Sequence, residues 1–261
     1  MKKIILLLFM VCTQIITAQT NNYKITYKQF LSYGQKLQRD AVLYVKENEP
    51  TVMHSPMAST VELEKVEVPK INEKDYAPGA VIMRITSNEK FSYSAFPDTY
   101  IKVDQQSNKN TAIDYIGLKR GFIVIDDNLK YNWKITSETK KIQNYACYKA
   151  TTSFRGNNFE AWFTPDIPLN IGPWKWYGLP GLILEAYDVE KKNVFLLEKI
   201  EKLTQEIPFP IKDFKELSLK EYIIQQDDFF TAPVLTTDRN VQTTTNYKRG
   251  GLEKIFEWEE K

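Results

Sequence analysis

NYACYKATTSFRGNNFEAWFTP, residues 144–165, decides the fold. It holds two runs, NYACYKATTSF (144–154) and NFEAWFTP (158–165), divided at Arg155-Gly156-Asn157-Asn158. The signal in each is a short alternating run and not helical periodicity. A period of two marks a strand with one face buried. Gly and Asn between the runs suit a tight reversal, so the pair predicts antiparallel strands.

The same grammar extends in both directions. LILEAYD (182–188) and NVFLLEKIEKL (193–203) flank the polar turn Val189-Glu190-Lys191-Lys192. Upstream, GFIVIDDNLKYNWKIT (121–136) reads as two β-rich runs around Asp126-Asp127-Asn128, which predicts a hairpin. Further strand-like runs are NNYKITYKQF (21–30), AVLYVKE (41–47), AVIMRITS (80–87), TYIKVDQQ (99–106) and TAIDYIGL (111–118). Helical periodicity is confined to 212–228, where Ser218 and Glu221 have capping-box spacing. Segments 48–79 and 231–251 read as loops, the first on the strength of Pro50, Pro56, Pro69 and Pro78. The expectation is a single, mainly β domain: one curved antiparallel sheet or half-barrel with one or two helices.

The N-terminus, MKKIILLLFMVCTQIITAQ, has a basic start, a short apolar run and a small residue, Ala18, before a cut. It predicts a signal peptide over 1–18 and a mature domain over 19–261, exported to the periplasm, cell surface or medium. No later run is long enough for a membrane helix, so no transmembrane segment is expected in the mature chain. Without Lys2 and Lys3 the basic and acidic residues balance, which argues against nucleic acid as a partner. Cys12 leaves with the signal, and Cys147 is then expected to be a buried thiol.

Candidate chemistry is sparse. His54 is the sole histidine, which removes multi-histidine metal sites. With Met53 and Met57 it forms a small soft-ligand group of the kind that suits copper. Glu160 and Glu185 fall inside apolar strands and, with Asp188, are the carboxylates an envelope enzyme would use. No G-x-S-x-G turn, phosphate loop or dinucleotide fingerprint is present, so neither a cofactor nor a nucleophilic triad is expected.

The densest segment is GPWKWYGLPGLILEAYD, 172–188. Gly172-Pro173 breaks the preceding run. If the next residues are extended, Trp174 and Trp176 share one side and Lys175 and Tyr177 the other. Pro180-Gly181 suits the centre of a type II turn. Two readings follow: the Trp pair plugs one end of the curved sheet, or it lines a concave ligand site. Ligand-binding candidates are Trp162, Trp174, Trp176, Tyr177 and Glu185. Gly172, Pro173, Gly178, Leu179, Pro180 and Gly181 form the structural motif.

Gly178-Leu179-Pro180-Gly181-Leu182-Ile183 stands intact. Around it lie Cys147-x-Lys149-Ala150, Phe154-Arg155-Gly156, Ala161-Trp162-Phe163-Thr164, Ile167-Pro168 and Gly172-Pro173. In this order they resemble the GLPGLI family of exported Bacteroidetes proteins. That resemblance implies an envelope location and carries no reaction with it. The β pattern is similar to the curved open sheets of periplasmic lipoprotein carriers. The expected function is non-enzymatic: binding an apolar or peptide-like ligand, or assisting an outer-membrane or envelope assembly.

Overall fold

A computed structural model describes residues 22–32, 36–56, 59–60, 98–117, 120–127, 129–231 and 247–259. The expected signal peptide, the predicted strand 80–87 and Met57 lie outside them. The first strands are β1 (Tyr23–Ser32), β2 (Lys36–Val45), β3 (Thr51–Ser55) and β4 (Ser59–Thr60). Then come β5 (Thr99–Asp104), β6 (Lys109–Ile116), β7 (Arg120–Asp127) and β8 (Lys134–Ile142). β9 (Tyr145–Phe154), β10 (Asn157–Thr164), β11 (Leu182–Asp188) and β12 (Asn193–Lys202) follow, then β13 (Lys215–Ser218) and helix α1 (Leu219–Thr231).

All described strands join one open sheet, ordered β13-β7-β6-β5-β3-β2-β1-β12-β11-β10-β9-β8, with β4 also pairing β2. The sheet consists of two antiparallel meanders, β1–β7 and β8–β12. They are sewn together by the antiparallel pair β1–β12, in register from Tyr23↔Lys202 to Leu31↔Asn193. β13 is the parallel exception, lying along β7. Register shifts at Thr26/Tyr27 and Trp162/Phe163 bend their strands and curl the sheet. The mainly β, curved, open architecture agrees with the sequence, and α1 is the single helix described. Its capping box forms: the Ser218 amide donates to Glu221 Oε2 at 2.9 Å, and the Glu221 amide to Ser218 Oγ at 3.3 Å. Among the described residues no helix is long and apolar enough to cross a membrane.

Two expectations about the strands are corrected. β3 lies inside the segment read as loop. Pro50 and Pro56 flank it, so prolines that read as breakers only mark its ends. The predicted hairpin over 121–136 does not form. β7 pairs with β6 and β13, whereas β8 pairs with β9 at the opposite edge of the sheet. The link 129–133 therefore passes from one meander to the outer edge of the other. Leu129, Tyr131 and Trp133 pack into the core on the way. Apolar burial is worth roughly 1.5–3 kcal/mol per large side chain and outweighs a local hairpin here.

The β9–β10 reversal forms at the quoted stretch. Asn157 pairs Phe154 across a two-residue loop, with φ of 43° at Arg155 and 73° at Gly156. Both angles are positive, as in a type I′ turn, whose twist matches the strands. Cys147 is fully buried, and burial pushes its thiol up.

After β10 the chain makes an irregular excursion over 165–181 before β11. The Trp176 amide donates to the Pro173 carbonyl at 3.3 Å, closing a turn in which Trp174 holds φ 57°. A bulky residue there costs about 1–3 kcal/mol. The cost is offset where the rings land. Trp176 meets Trp174, Phe159 and Phe195 edge-to-face at centroid distances of 5.1, 5.2 and 5.7 Å. At Pro180 the Gly181 amide donates to the Leu179 carbonyl at 2.8 Å. That is a γ-turn, not the type II turn expected from Pro-Gly. Gly181 has φ 147°, and a Cβ there would stand 2.0 Å from the Thr164 carbonyl oxygen.

Gly181→Ala is therefore expected to lower the unfolding free energy by roughly 2–4 kcal/mol in urea titration. Gly251→Ala, at φ 92° with nothing within 4 Å of its Cβ, is expected to cost only about 1–2 kcal/mol.

Candidate functional site

The curl of the sheet leaves a concave cavity of about 700 Å³. That size falls within the range of roughly 300–1,000 Å³ that holds small organic ligands. Its sheet wall is largely apolar: Met53, Ile101, Ala112, Val124 and Phe195 project from five strands. Tyr222 and Ile223 of α1 close one side, and residues 250–253 with Phe256 another. Trp174 and Lys175 reach it from the 165–181 excursion.

One edge of this wall is polar, through strand register. Gln29 of β1 pairs Arg39 of β2, and Ser55 of β3 pairs Thr99 of β5. Tyr100 pairs Ile113, which carries the neighbouring rung on to Asp114 of β6. Gln29, Arg39, Ser55, Thr99 and Asp114 all line the cavity. Arg39 Nε donates to Gln29 Oε1 at 2.6 Å. Burial lowers the Arg39 guanidinium to about 10, against the attraction of Asp114 and Asp98. Burial raises the Asp114 carboxyl, although the Tyr115 amide donates to it at 2.8 Å. Two ionisable groups are thus held in one cavity at a cost in hydration.

The wall between Trp174 and the C-terminal segment is an ion cluster. Asp126 of β7 accepts both terminal nitrogens of Arg155 at 2.8 Å each and Lys175 Nζ at 2.7 Å. Glu253 accepts Lys175 Nζ at 3.0 Å through both oxygens and also accepts Arg155. Glu257 accepts Arg155 Nε at 2.9 Å. Asp126, Arg155 and Lys175 are all buried. Burial alone would raise Asp126, but Lys175 and Arg155 more than reverse it and hold the carboxyl low. Burial opposes the charge on Lys175, yet Asp126 and Glu253 hold its ammonium up. The Arg155 carbonyl also accepts the Lys254 amide at 2.8 Å, which pins the C-terminal segment to the β9–β10 turn.

The structure divides the residues singled out from sequence into three places. Trp174 and Trp176 are core side chains, and only Trp174 borders the cavity. Tyr177 braces the excursion: its hydroxyl lies 2.8 Å from the Leu129 carbonyl, and Trp133 Nε1 donates to the Tyr177 carbonyl at 2.9 Å. Gly172, Pro173, Gly178, Leu179, Pro180 and Gly181 shape that excursion. A Cβ at Gly172 would meet Ile183 at 2.7 Å, and the Gly178 amide bonds Asn170 Oδ1.

Trp162, Glu160 and Glu185 lie on the outer face of β10 and β11. Lys140 pairs with Glu185 and stands 4.4 Å over the Trp162 ring, while Lys149 pairs with Glu160 at 3.2 Å. Asp188 accepts the Lys192 and Asn193 amides at 3.0 and 2.7 Å and so shapes the β11–β12 turn. None of these carboxylates lines the cavity. Met53 and His54 are successive strand residues on opposite faces. Met53 enters the cavity wall, whereas His54 Nε2 lies 2.7 Å from Asp98 and its ring stacks on Tyr100.

Sequence reasoning missed Arg39, Asp114, Asp126, Arg155 and Lys175 as a set. The available signal was a charge at an inward position of an alternating strand: Arg39 between Leu37 and Ala41, Asp126 after Phe122 and Val124.

The architecture is a single open sheet curled around a cavity of about 700 Å³. The sequence over residues 76–222, more than half of the chain, matches the family described as the N-glycanase peptide, N-terminal domain, and the chain belongs to that family. Two solved structures of PNGF-II, in space groups C2 and P21, share the fold with a TM-score of 0.50 each and 19% and 18% identity. The similarity covers 88% of this chain and 37% of those chains, so this chain spans less than two-fifths of the PNGF-II structures. No curated protein matches the sequence.

Removing Lys175 leaves buried carboxylate charge undercompensated, so Lys175→Met is expected to cost about 3–5 kcal/mol in urea unfolding. The lowered Asp126 carboxyl adds stability above its unfolded value near ~4, and this is lost as pH falls through the folded value. The raised Lys175 ammonium adds stability below ~10.4, lost as pH rises through its folded value. Urea midpoints of the wild type are thus expected to fall below pH ~4, and those of Asp126→Asn to fall less steeply.

Proposed function

We propose that this protein is an exported, non-enzymatic binding domain that holds an apolar or peptide-like ligand against the concave face of its sheet. The cavity of about 700 Å³, apolar in its body and polar along one edge, is the observation that carries this reading. The chain's family adds support, because in PNGF-II the matched fold is one part of a longer chain. A fold that occurs as a module suits a role in holding a ligand for another component, here an envelope partner. The likeness to the GLPGLI family and the signal-like N-terminus support export to the periplasm or cell surface of a Bacteroidetes-type cell.

The cavity gives the enzyme reading no comparable support. Glu160 and Glu185 are neutralised by lysines on the outer face, and Asp188 is spent on a turn. The copper reading would need Met53 and His54 to act from opposite sides of one strand.

The neutral dye N-phenyl-1-naphthylamine is expected to bind the wild type with enhanced emission and to quench tryptophan fluorescence, because Trp174 borders the cavity. Ala112→Trp, which fills the cavity, is expected to weaken the dye at least about tenfold, whereas His54→Ala on the outer face leaves it unchanged. A wild type that ignores the dye, or binding that Ala112→Trp does not alter, overturns the proposal.

A further inference from the structure

Among the described residues, Arg39 is the cation of the cavity with no carboxylate paired to it. Its hydrogen bonds go to neutral oxygens, Gln29 Oε1 at 2.6 Å and the Pro56 carbonyl at 3.4 Å. Among the described residues no carboxylate lies within ion-pair distance of it. Elsewhere the molecule pairs its buried cations closely: Arg155 with Asp126, and Lys175 with Asp126 and Glu253. A guanidinium removed from bulk water toward an apolar wall is costly unless an anion meets it. Gln29, itself buried, orients the group by holding Nε. A terminal nitrogen is thereby left without a partner among the described residues. Asp114 borders the same cavity, and burial raises its carboxyl. A second polar atom is also left to the cavity. Asn110 lines it and donates to the Asp126 carbonyl at 3.2 Å, yet its buried Oδ1 has no donor.

We infer that the ligand is an anionic amphiphile, an apolar chain ended by a carboxylate or phosphate, with its head on Arg39 and its chain along Met53, Ile101 and Ala112. Guanidinium binds both oxyanions through paired N–H groups, so the head chemistry is shared between them. The inference rests on the binding role proposed above and adds the charge of the ligand to it.

The test compares dodecanoate, dodecyl phosphate and methyl dodecanoate by calorimetry on the same preparation. Either acid is expected to bind at least ten times more tightly than the ester, and the stronger of the two identifies the head. Arg39→Gln is expected to abolish the preference while keeping ester affinity, and Arg39→Lys to retain part of it. In the wild type, the Arg39 Nε–H resonance is expected to shift with the acids and not with the ester, a readout that survives if Arg39→Gln does not fold. Equal affinity for acid and ester, a preference that outlives Arg39→Gln, or an unmoved Nε–H signal overturns the inference and leaves the binding role standing. Failure of all three probes and of the neutral dye overturns both.

Discussion

Asp126 sits where four parts of the chain have to meet. It is carried by β7, at the far side of the first meander, and it receives Arg155 from the β9–β10 turn in the second. It also receives Lys175 from the 165–181 excursion, while Glu253 brings in the C-terminal segment through the same two cations. An open sheet has no hydrogen bonds to hold its two ends at a fixed separation. Here charges that are almost fully dehydrated do so instead. Such a cluster gains little over an apolar contact of equal volume, but a single missing member leaves a buried charge. Its effect is therefore geometric: it sets how tightly the sheet curls, and so the width of the cavity.

Seen from that clasp, the tryptophan excursion is a spacer. Trp176, Phe159 and Phe195 fill one end of the curl, so the chain can present Lys175 to Asp126 from the correct side. The positive φ at Trp174 and at Arg155 places two unfavourable backbone conformations beside one set of ion pairs. The angle at Arg155 is the one its type I′ turn requires. Both turns carry a cation to the same carboxylate, Arg155 from one and Lys175 from the other.

Much of the architecture was legible because strands announce themselves by alternation. Phe159, Ala161 and Phe163 against Asn158 and Glu160 gave β10 directly, and Ser218 with Glu221 gave the start of α1. The failures have physical causes. β3 is a five-residue strand between prolines, and its pairing partners supply most of the reason for its existence. The 121–136 hairpin was persuasive locally, but Asp126 is committed to a long-range ion cluster and Tyr131 to the excursion, so the chain runs straight on. The site was legible only in part. Trp174 was visible as a conspicuous aromatic. Arg39 and Asp114 were not, because a lone charge in a strand has the same spelling whether it faces water or a cavity.

The β1–β12 seam has a consequence for how the chain reaches this shape. Tyr27 at the seam donates its hydroxyl to the Ile183 carbonyl at 2.7 Å, across 156 positions of sequence. A chain made from its N-terminus completes the β1–β7 meander long before β12 exists. Until then β1 shows a ten-residue unprotected edge, a template for pairing with any other extended segment. Contacts of such long range also slow folding. The interval between synthesis of β1 and arrival of β12 is thus the period in which this protein most needs shielding from its own copies.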